Sequence, residues 1–256
     1  MASLCAHGLE GLPEVRAGDD LAELIVAAAG ERPIGDGTLV AVAHKAVSKS
    51  EGAVVSLADV RPSRRARELA ARMAGSGAEK DAREIEVVLE QSAELLRAER
   101  GVLICRTHHG WVCANAGVDA SNVPGDEELV LLPKDPDASA RRIRRGLRER
   151  LGTAPAVMIT DSFGRTWRHG QLDVAIGLAG MQPLDDWRGR SDPHGLKLRA
   201  TWLAIADAAA ACADLARAKD SREPVVLVEG LERFTTAEDG PGAAAIRRAP
   251  EEDLFR

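Results

Sequence analysis

Aromatic residues make up only 3% of this 256-residue chain, and tyrosine is absent. Alanine and arginine stand where leucine and lysine are more usual, a bias of composition that carries no function of its own. The common nucleotide signatures are missing too. No GxxxxGKS/T occurs, and no GxGxxG joins a strand to a helix, so a P-loop or a Rossmann site has no support. The absence of GxSxG and HExxH lowers serine-hydrolase and zinc-protease readings in the same way. Cysteines are few: Cys5, Cys105, Cys113 and Cys212 lie far apart, form no CxxC pair and follow no secretory leader. They read as reduced thiols of a cytoplasmic protein, packed as small core residues, and not as a zinc site. Excess positive charge is lacking as well. The formal net charge of -6 argues against a nucleic-acid binder that works through bulk charge. The most apolar helical stretch, around 198–215, carries Arg199, Asp207 and Asp214 and does not suit a membrane span. What the chain has is ordinary globular material, 45% hydrophobic and 29% charged, enough for one large domain or two small lobes.

Periodicity sets out the elements. "RAGDDLAELIVAAAG" predicts an amphipathic helix with Asp19 or Asp20 near its N-cap and Gly30 past its end. "DGTLVAVAHKAVSKSEGAVVSL" predicts a strand, a lysine-bearing turn and a second β segment. Two helices are expected in "PSRRARELAARMAG" and "AEKDAREIEVVLEQSAELLRAE", the second through Ile85, Val88, Leu89, Leu95 and Leu96. "GVLICRTHHGWVCANAG" reads as a β-hairpin around His108, His109 and Gly110. The strand "ELVLLP", the helix "DASARRIRRGLRERLG" and the strand "PAVMIT" follow, then a loop over 161–171 and "DVAIGLAG". A helix in "GLKLRATWLAIADAAAACADLARA" and a strand in "PVVLVEGL" close the series. Strands and helices mix without regular βαβα alternation or internal repeat, so the class is α+β or an irregular α/β.

Two acidic positions stand out. Asp119 follows the second hairpin strand in "NAGVDASNVPGDEE", with Asn115, Ser121 and Asn122 nearby. Asp161 follows another strand in "ITDSFGR", with Ser162 beside it. Carboxylates at strand ends, each beside a hydroxyl or amide oxygen, are the hard donors that Mg2+ or Mn2+ takes. Either aspartate would equally serve as the cap of an Asx-turn, and spacing does not show that the two meet. Arg165 and Arg168 come soon after Asp161, and Arg188 and Arg190 lie in "DDWRGRSDPHG". Their guanidinium forks suit phosphate and carboxylate oxygens; the alternative is a surface ion-pair network with Asp173, Asp185, Asp186 and Asp192. Lys49 in "AVSKSEG" would reach a nucleotide phosphate or stay a solvated loop lysine. His108 and His109 read as exposed turn residues, while His169 and His194 are loop hydrogen-bonders or candidates for a base or phosphate contact. The residues by themselves reach a metal-and-phosphate site and no further.

The block "ITDSFGRTWRHGQLDVAIGLAGMQPLDDWRGRSDPHGLKLRAT" resembles the central signature of the coenzyme F-420-0:L-glutamate ligase family. "GLEGLPEVRAGDDLAELI", "AVSKSEG", "NAGVDASNV", "LLPKDPDASARRIR" and "RRAPEEDLFR" resemble further family segments, in the family's order and across nearly the whole chain. The resemblance implies a cytoplasmic, GTP-dependent, amide-forming ligase that joins L-glutamate to the lactyl-phosphate carboxylate of coenzyme F-420-0, with further γ-linked glutamates as an open extension. It implies Mg2+ or Mn2+, two such ions, with K+ a further candidate. It also implies a two-lobed α+β fold over 1–256 and an intertwined homodimer; many bacterial relatives append a nitroreductase-like domain, which these 256 residues do not include, so a stand-alone ligase or the ligase half of a longer protein is expected. By matching motif, Asp119, Asp161 and Ser162 are similar to the metal ligands. Leu12, Pro13, Glu14 and Val15 are similar to a segment lining the nucleotide pocket, and His44, Lys49 and Asn122 to further nucleotide contacts. The segment 215–224 corresponds to a glycine-rich, nucleotide- and metal-contacting loop in some members; it has no glycine here, and no residue of it is carried over.

On this reading the γ-phosphoryl of GTP passes to the coenzyme's carboxylate, and the glutamate amine then displaces phosphate from the acyl phosphate. Asp161, Arg165 and Arg168 are the catalytic candidates, the arginines as offsets for gathering negative charge. His169 is a candidate for deprotonating the glutamate ammonium. The alternatives are a metal-dependent phosphohydrolase and a non-catalytic nucleotide- or deazaflavin-binding protein.

Overall fold

The computed structural model describes residues 3–75, 79–120, 127–218 and 221–253. In chain order the elements are β1 (Cys5–Gly8), α1 (Leu21–Ala29), β2 (Leu39–Ala43), α2 (His44–Ser50), β3 (Val54–Ser56), α3 (Arg64–Ala74) and α4 (Ala82–Glu90). Next come β4 (Ser92–Glu99), β5 (Val102–Thr107), β6 (Val112–Ala114), β7 (Glu128–Val130), α5 (Pro136–Leu151), β8 (Ala156–Arg165) and β9 (Arg168–Ala179). The last are β10 (Leu184–Asp186), β11 (Trp202–Ala204), α6 (Ile205–Ala216) and β12 (Val225–Glu229). The class is α+β.

A five-stranded sheet in the order β1-β12-β2-β8-β9 is the main frame. Only β2 and β8 are parallel; every other neighbouring pair is antiparallel. The unbroken apolar runs "LVAVA", "AVMIT" and "VVLVE" fall on its three inner strands, as burial on both faces requires. Val40, Val42, Val157 and Ile159 face α1, α2 and α5, while Leu39, Ala41 and Met158 face the alanine side of α6. A second assembly joins α3 and α4 to the β4-β5-β6 sheet through Leu69, Met73, Ile85, Val88, Leu103 and Cys105. The β3–β7 pair packs Leu129 with Leu57 and Val87 beside it.

The ends of several elements follow from single residues. Asp20 caps α1 by accepting from the Ala22 N–H at 2.9 Å, and Gly30 ends it with φ 55°. Asp135 caps α5 through the Ala138 N–H, Pro136 opens its first turn, and Gly152 closes it with φ 72°. The sheet edge is sealed by carboxylates. The outward N–H groups of Asp173, Ala175 and Leu178 on β9 donate to Asp214, Asp207 and Asp137. These bonds leave that part of the edge without free donors for another chain.

Four sequence expectations change. The lysine-bearing turn after β2 is the helix α2. The second half of the helix expected over "AEKDAREIEVVLEQSAELLRAE" is β4: the Ser92 hydroxyl donates to Val88 O, and pairing with β5 overrides the helical propensity of Leu95, Leu96 and Arg97. The loop expected over 161–171 is a continuous hairpin. β8 runs through Asp161 to Arg165, turns at 166–167 and returns as β9. The last long helix begins only at Ile205, because Trp202–Ala204 pairs with β10.

Helix α5 approaches β9 so closely that a Cβ at Gly177 would lie 2.4 Å from the Pro136 carbonyl oxygen. Backbone cannot give way as a flexible side chain can. Gly177→Ala should therefore lower stability by roughly 2 kcal/mol and the melting temperature by about 5 °C in a thermal melt. An unchanged melt would mean that α5 and β9 separate without cost.

Candidate functional site

Some of the polar residues singled out by the sequence, Glu14, Asp119 and Asp161, contact side chains of α2, which itself carries His44 and Lys49. Its first two residues, His44 and Lys45, reach aspartates on two other elements. His44 Nε2 lies 3.3 Å from Asp161 Oδ1 on β8, in contact but not aligned as a hydrogen bond. Lys45 Nζ lies 2.7 Å from Asp119 Oδ2, in the segment after β6. Both carboxylates thus meet the first turn of one helix, on neighbouring side chains that leave its axis about 100° apart. One turn further on, Ser48 Oγ is 3.5 Å from His44 Nδ1, and Lys49 pairs with Glu14. The helix thus turns His44 and Ser48 inward and sets Lys45 and Lys49 along one side. Glu14 belongs to the segment Leu12 to Val15, whose Val15 is buried in the main core with Leu12 against it.

Strand alternation sorts the residues of β8. Asp161 pairs across the hairpin with Val174, and Phe163 lies two residues on, on the same face. Thr160 and Ser162 point the other way. Their hydroxyls donate to Asp173 Oδ2 at 2.8 Å and Oδ1 at 2.7 Å, and Arg217 Nη1 donates to the same Oδ2 at 3.0 Å. The side chains of Asp161 and Ser162 therefore leave opposite faces of the sheet. The Arg217 guanidinium loses proton affinity to burial, which Asp173 and Asp214 oppose with their charges. Asp161 Oδ1 also accepts from the Ser162 N–H at 2.8 Å, which fixes its rotation. The nearby Cys113 thiol on β6 is pushed up to about 12 by burial first and by the Asp161 charge second, so it stays protonated and is not a nucleophile.

Arg165 and Arg168 stand at the exposed tip of the hairpin. Four residues of strand, about 13 Å, separate Arg165 from Asp161, and one chain does not bring the two arginines to α2. Arg165 donates to the His169 carbonyl there. Arg188 and Arg190 are taken by Asp186 at 2.7 Å and Asp185 at 3.1 Å, which is the ion-pair alternative. Asp192 accepts the backbone N–H groups of His194 and Leu196 as a turn cap. His108 and His109 both bond carbonyls, of Glu90 and Pro133, at 2.9 Å. Ser121 and Asn122 lie outside the described residues.

The donors at the head of α2 suit a hard divalent ion. Among the described residues no cluster of three or more His, Cys, Asp or Glu is formed. Mg2+ commonly takes one or two carboxylates and completes its shell with phosphate oxygens and water, which two aspartates allow. The Lys45 ammonium occupies Asp119 in this arrangement. Lys45 itself escaped the sequence reading. Its signal was the i, i+4 spacing to Lys49, which has meaning only once the segment is read as a helix.

Residues 11–230 match the family described as "F420-0:Gamma-glutamyl ligase". A protein of Methanothermobacter thermautotrophicus named coenzyme F420:L-glutamate ligase is 40% identical, with 97% of each chain covered. Its namesake in Methanopyrus kandleri is 42% identical with both chains fully covered, and that of Haloarcula marismortui is 41% identical over 97% of this chain and 94% of its own.

Proposed function

Since the chain belongs to the F-420-0:gamma-glutamyl ligase family, we propose that it joins L-glutamate to the terminal carboxylate of coenzyme F-420-0 at the expense of GTP, through an acyl phosphate. The observation that supports this reading is the set of contacts that His44, Lys45 and Lys49 of α2 make with Asp161, Asp119 and Glu14. Lys45 and Lys49, one turn apart, would bind consecutive phosphates of the nucleotide, displacing Asp119 and Glu14 from their ammonium groups. The exposed Pro13 and Glu14 stand beside Lys49, where a nucleotide-lining segment would be needed.

Asp119 and Asp161 would hold one Mg2+ or Mn2+, which when bound supplies positive charge between the phosphates. Ser162 faces Asp173 on the other side of the sheet, so only a second ion would use its hydroxyl. His44 keeps Asp161 in place. In the first step a carboxylate oxygen of the coenzyme attacks the γ-phosphorus and GDP leaves. In the second the glutamate nitrogen attacks the acyl carbon, phosphate leaves, and the nitrogen loses its proton. Arg165 and Arg168 remain candidates for the acceptor's negative charge rather than for the nucleotide.

A homodimer belongs to the same reading. Trp167, 80% exposed at the hairpin tip, and Leu196, 70% exposed, are large apolar side chains that a second copy would cover. Mass spectrometry of the purified chain with GTP, Mn2+, L-glutamate and coenzyme F-420-0 tests the proposal. A product heavier by one glutamyl residue, or a ladder of several, with GDP formed in step, is expected. Phosphate release that needs neither coenzyme nor glutamate would replace the ligase with a phosphohydrolase.

A further inference from the structure

A cavity of about 750 Å3 lies outside the α2 cluster, between the hairpin β5–β6, the strands β8 and β9, the start of α6 and the segment 244–253. Its size is that of a site for a small organic ligand. Its lining is unlike the rest of the surface. The chain has three Phe and four Trp, and one of each, Phe163 and Trp111, lines this one cavity. Three arginines and two aspartates line it as well: Arg106, paired with Glu94 at 2.8 Å, Arg247 and Arg248, with Asp207, which accepts from the Ala175 N–H, and Asp253. Arg247 is held in place by the His109 and Ala244 carbonyls, with its guanidinium 5.6 Å from the centre of the Trp111 ring. Arg248 is exposed and has no carboxylate partner among the described residues.

Flat apolar faces beside guanidinium groups, of which Arg247 and Arg248 form no ion pair among the described residues, recognise a flat ring system that carries an anion. The cavity also joins the α2 cluster through one strand. Phe163 is two residues, about 7 Å, from Asp161 on the same face of β8, and Val174, which lines the cavity, is the direct cross-strand partner of Asp161. A ligand seated on Phe163 would thus extend a tail toward the carboxylate at which phosphoryl transfer is proposed.

We infer that this cavity receives the acceptor: the deazaflavin ring lies against Trp111 and Phe163, and its phosphodiester meets the arginines. The inference rests on the ligase reading given above. The guanine nucleotide is the competing flat anion, and the experiment separates the two. Coenzyme F-420-0 and a non-hydrolysable GTP analogue are each titrated calorimetrically into the full chain, into Arg248→Glu and into Phe163→Leu.

Arg248→Glu should weaken coenzyme binding about tenfold and Phe163→Leu roughly fivefold, with the GTP analogue unchanged for both. Wild-type coenzyme affinity in both variants would overturn the assignment of the cavity and leave the ligase reading standing. Weakened GTP-analogue binding with unchanged coenzyme binding would give the cavity to the nucleotide instead. A wild-type chain that binds no coenzyme at all would remove the ligase reading and this inference with it.

Discussion

Asp161→Asn should leave the melting temperature close to that of the parent chain and reduce kcat for glutamyl transfer by about 100- to 1000-fold. Asparagine keeps the shape of the side chain and one carbonyl oxygen. That oxygen can still accept the 2.8 Å bond from the Ser162 N–H and rest against His44 Nε2. What disappears is the negative charge and one hard oxygen ligand. Among the described residues, Asp119 would then be the carboxylate left at the head of α2, with Lys45 already on it. Loss of one charge-stabilising group at a reacting centre typically costs about 3 to 4 kcal/mol of transition-state stabilisation, hence the predicted range. Initial rates by mass spectrometry at limiting Mn2+, beside a thermal melt, make the check. Near-normal turnover at limiting Mn2+ would remove Asp161 from the metal role, whatever the melt shows.

The sequence exposed those parts of the fold whose cause is local. Asp20 and Gly30 bound α1, Asp135 and Gly152 bound α5, and the hairpin β5–β6 forms from its own alternation. It concealed the parts decided by distant partners. Leu95, Leu96 and Arg97 are good helix residues, yet β5 offers them a ladder. Beyond Thr160 the hairpin β8–β9 turns largely polar, half-buried as far as Phe163 and exposed from Gly164 to Gln171, so no hydrophobic period marks its continuation. The candidate site divides the same way. The residue types of Asp119 and Asp161 were readable, while their contacts with two adjacent residues of α2 depended on a helix that resembled a turn. The resemblance groups Ser162 with Asp161 as metal ligands, and adjacency along a strand turns their two side chains to opposite faces. Asp173, expected on a surface ion-pair network, is 2% exposed. Nothing local distinguishes a buried aspartate from a solvated one until the partners Thr160, Ser162 and Arg217 are seen together.

That buried group carries the largest expected change in stability. Arg217→Met should lower the melting temperature by roughly 10 °C, which corresponds to about 4 kcal/mol. Asp173 and Arg217 keep only 3% and 12% of their side-chain surface, so little water reaches the pair. Arg217 also donates to the carbonyls of Ala41 and Pro224 and so ties the end of α6 to β2 and to the approach to β12. Methionine fills much of the same volume. The cost should therefore come mainly from a carboxylate left buried with two hydroxyl donors and no cation. The double variant Asp173→Asn, Arg217→Met removes that stranded charge while the amide can still bond Thr160 and Ser162, and it should regain at least half of the loss. A double-mutant cycle by thermal or urea unfolding measures the coupling directly. If the double variant were no more stable than Arg217→Met alone, the ion pair would not be the cause, and the packing of the arginine stem against α6 and β2 would take its place.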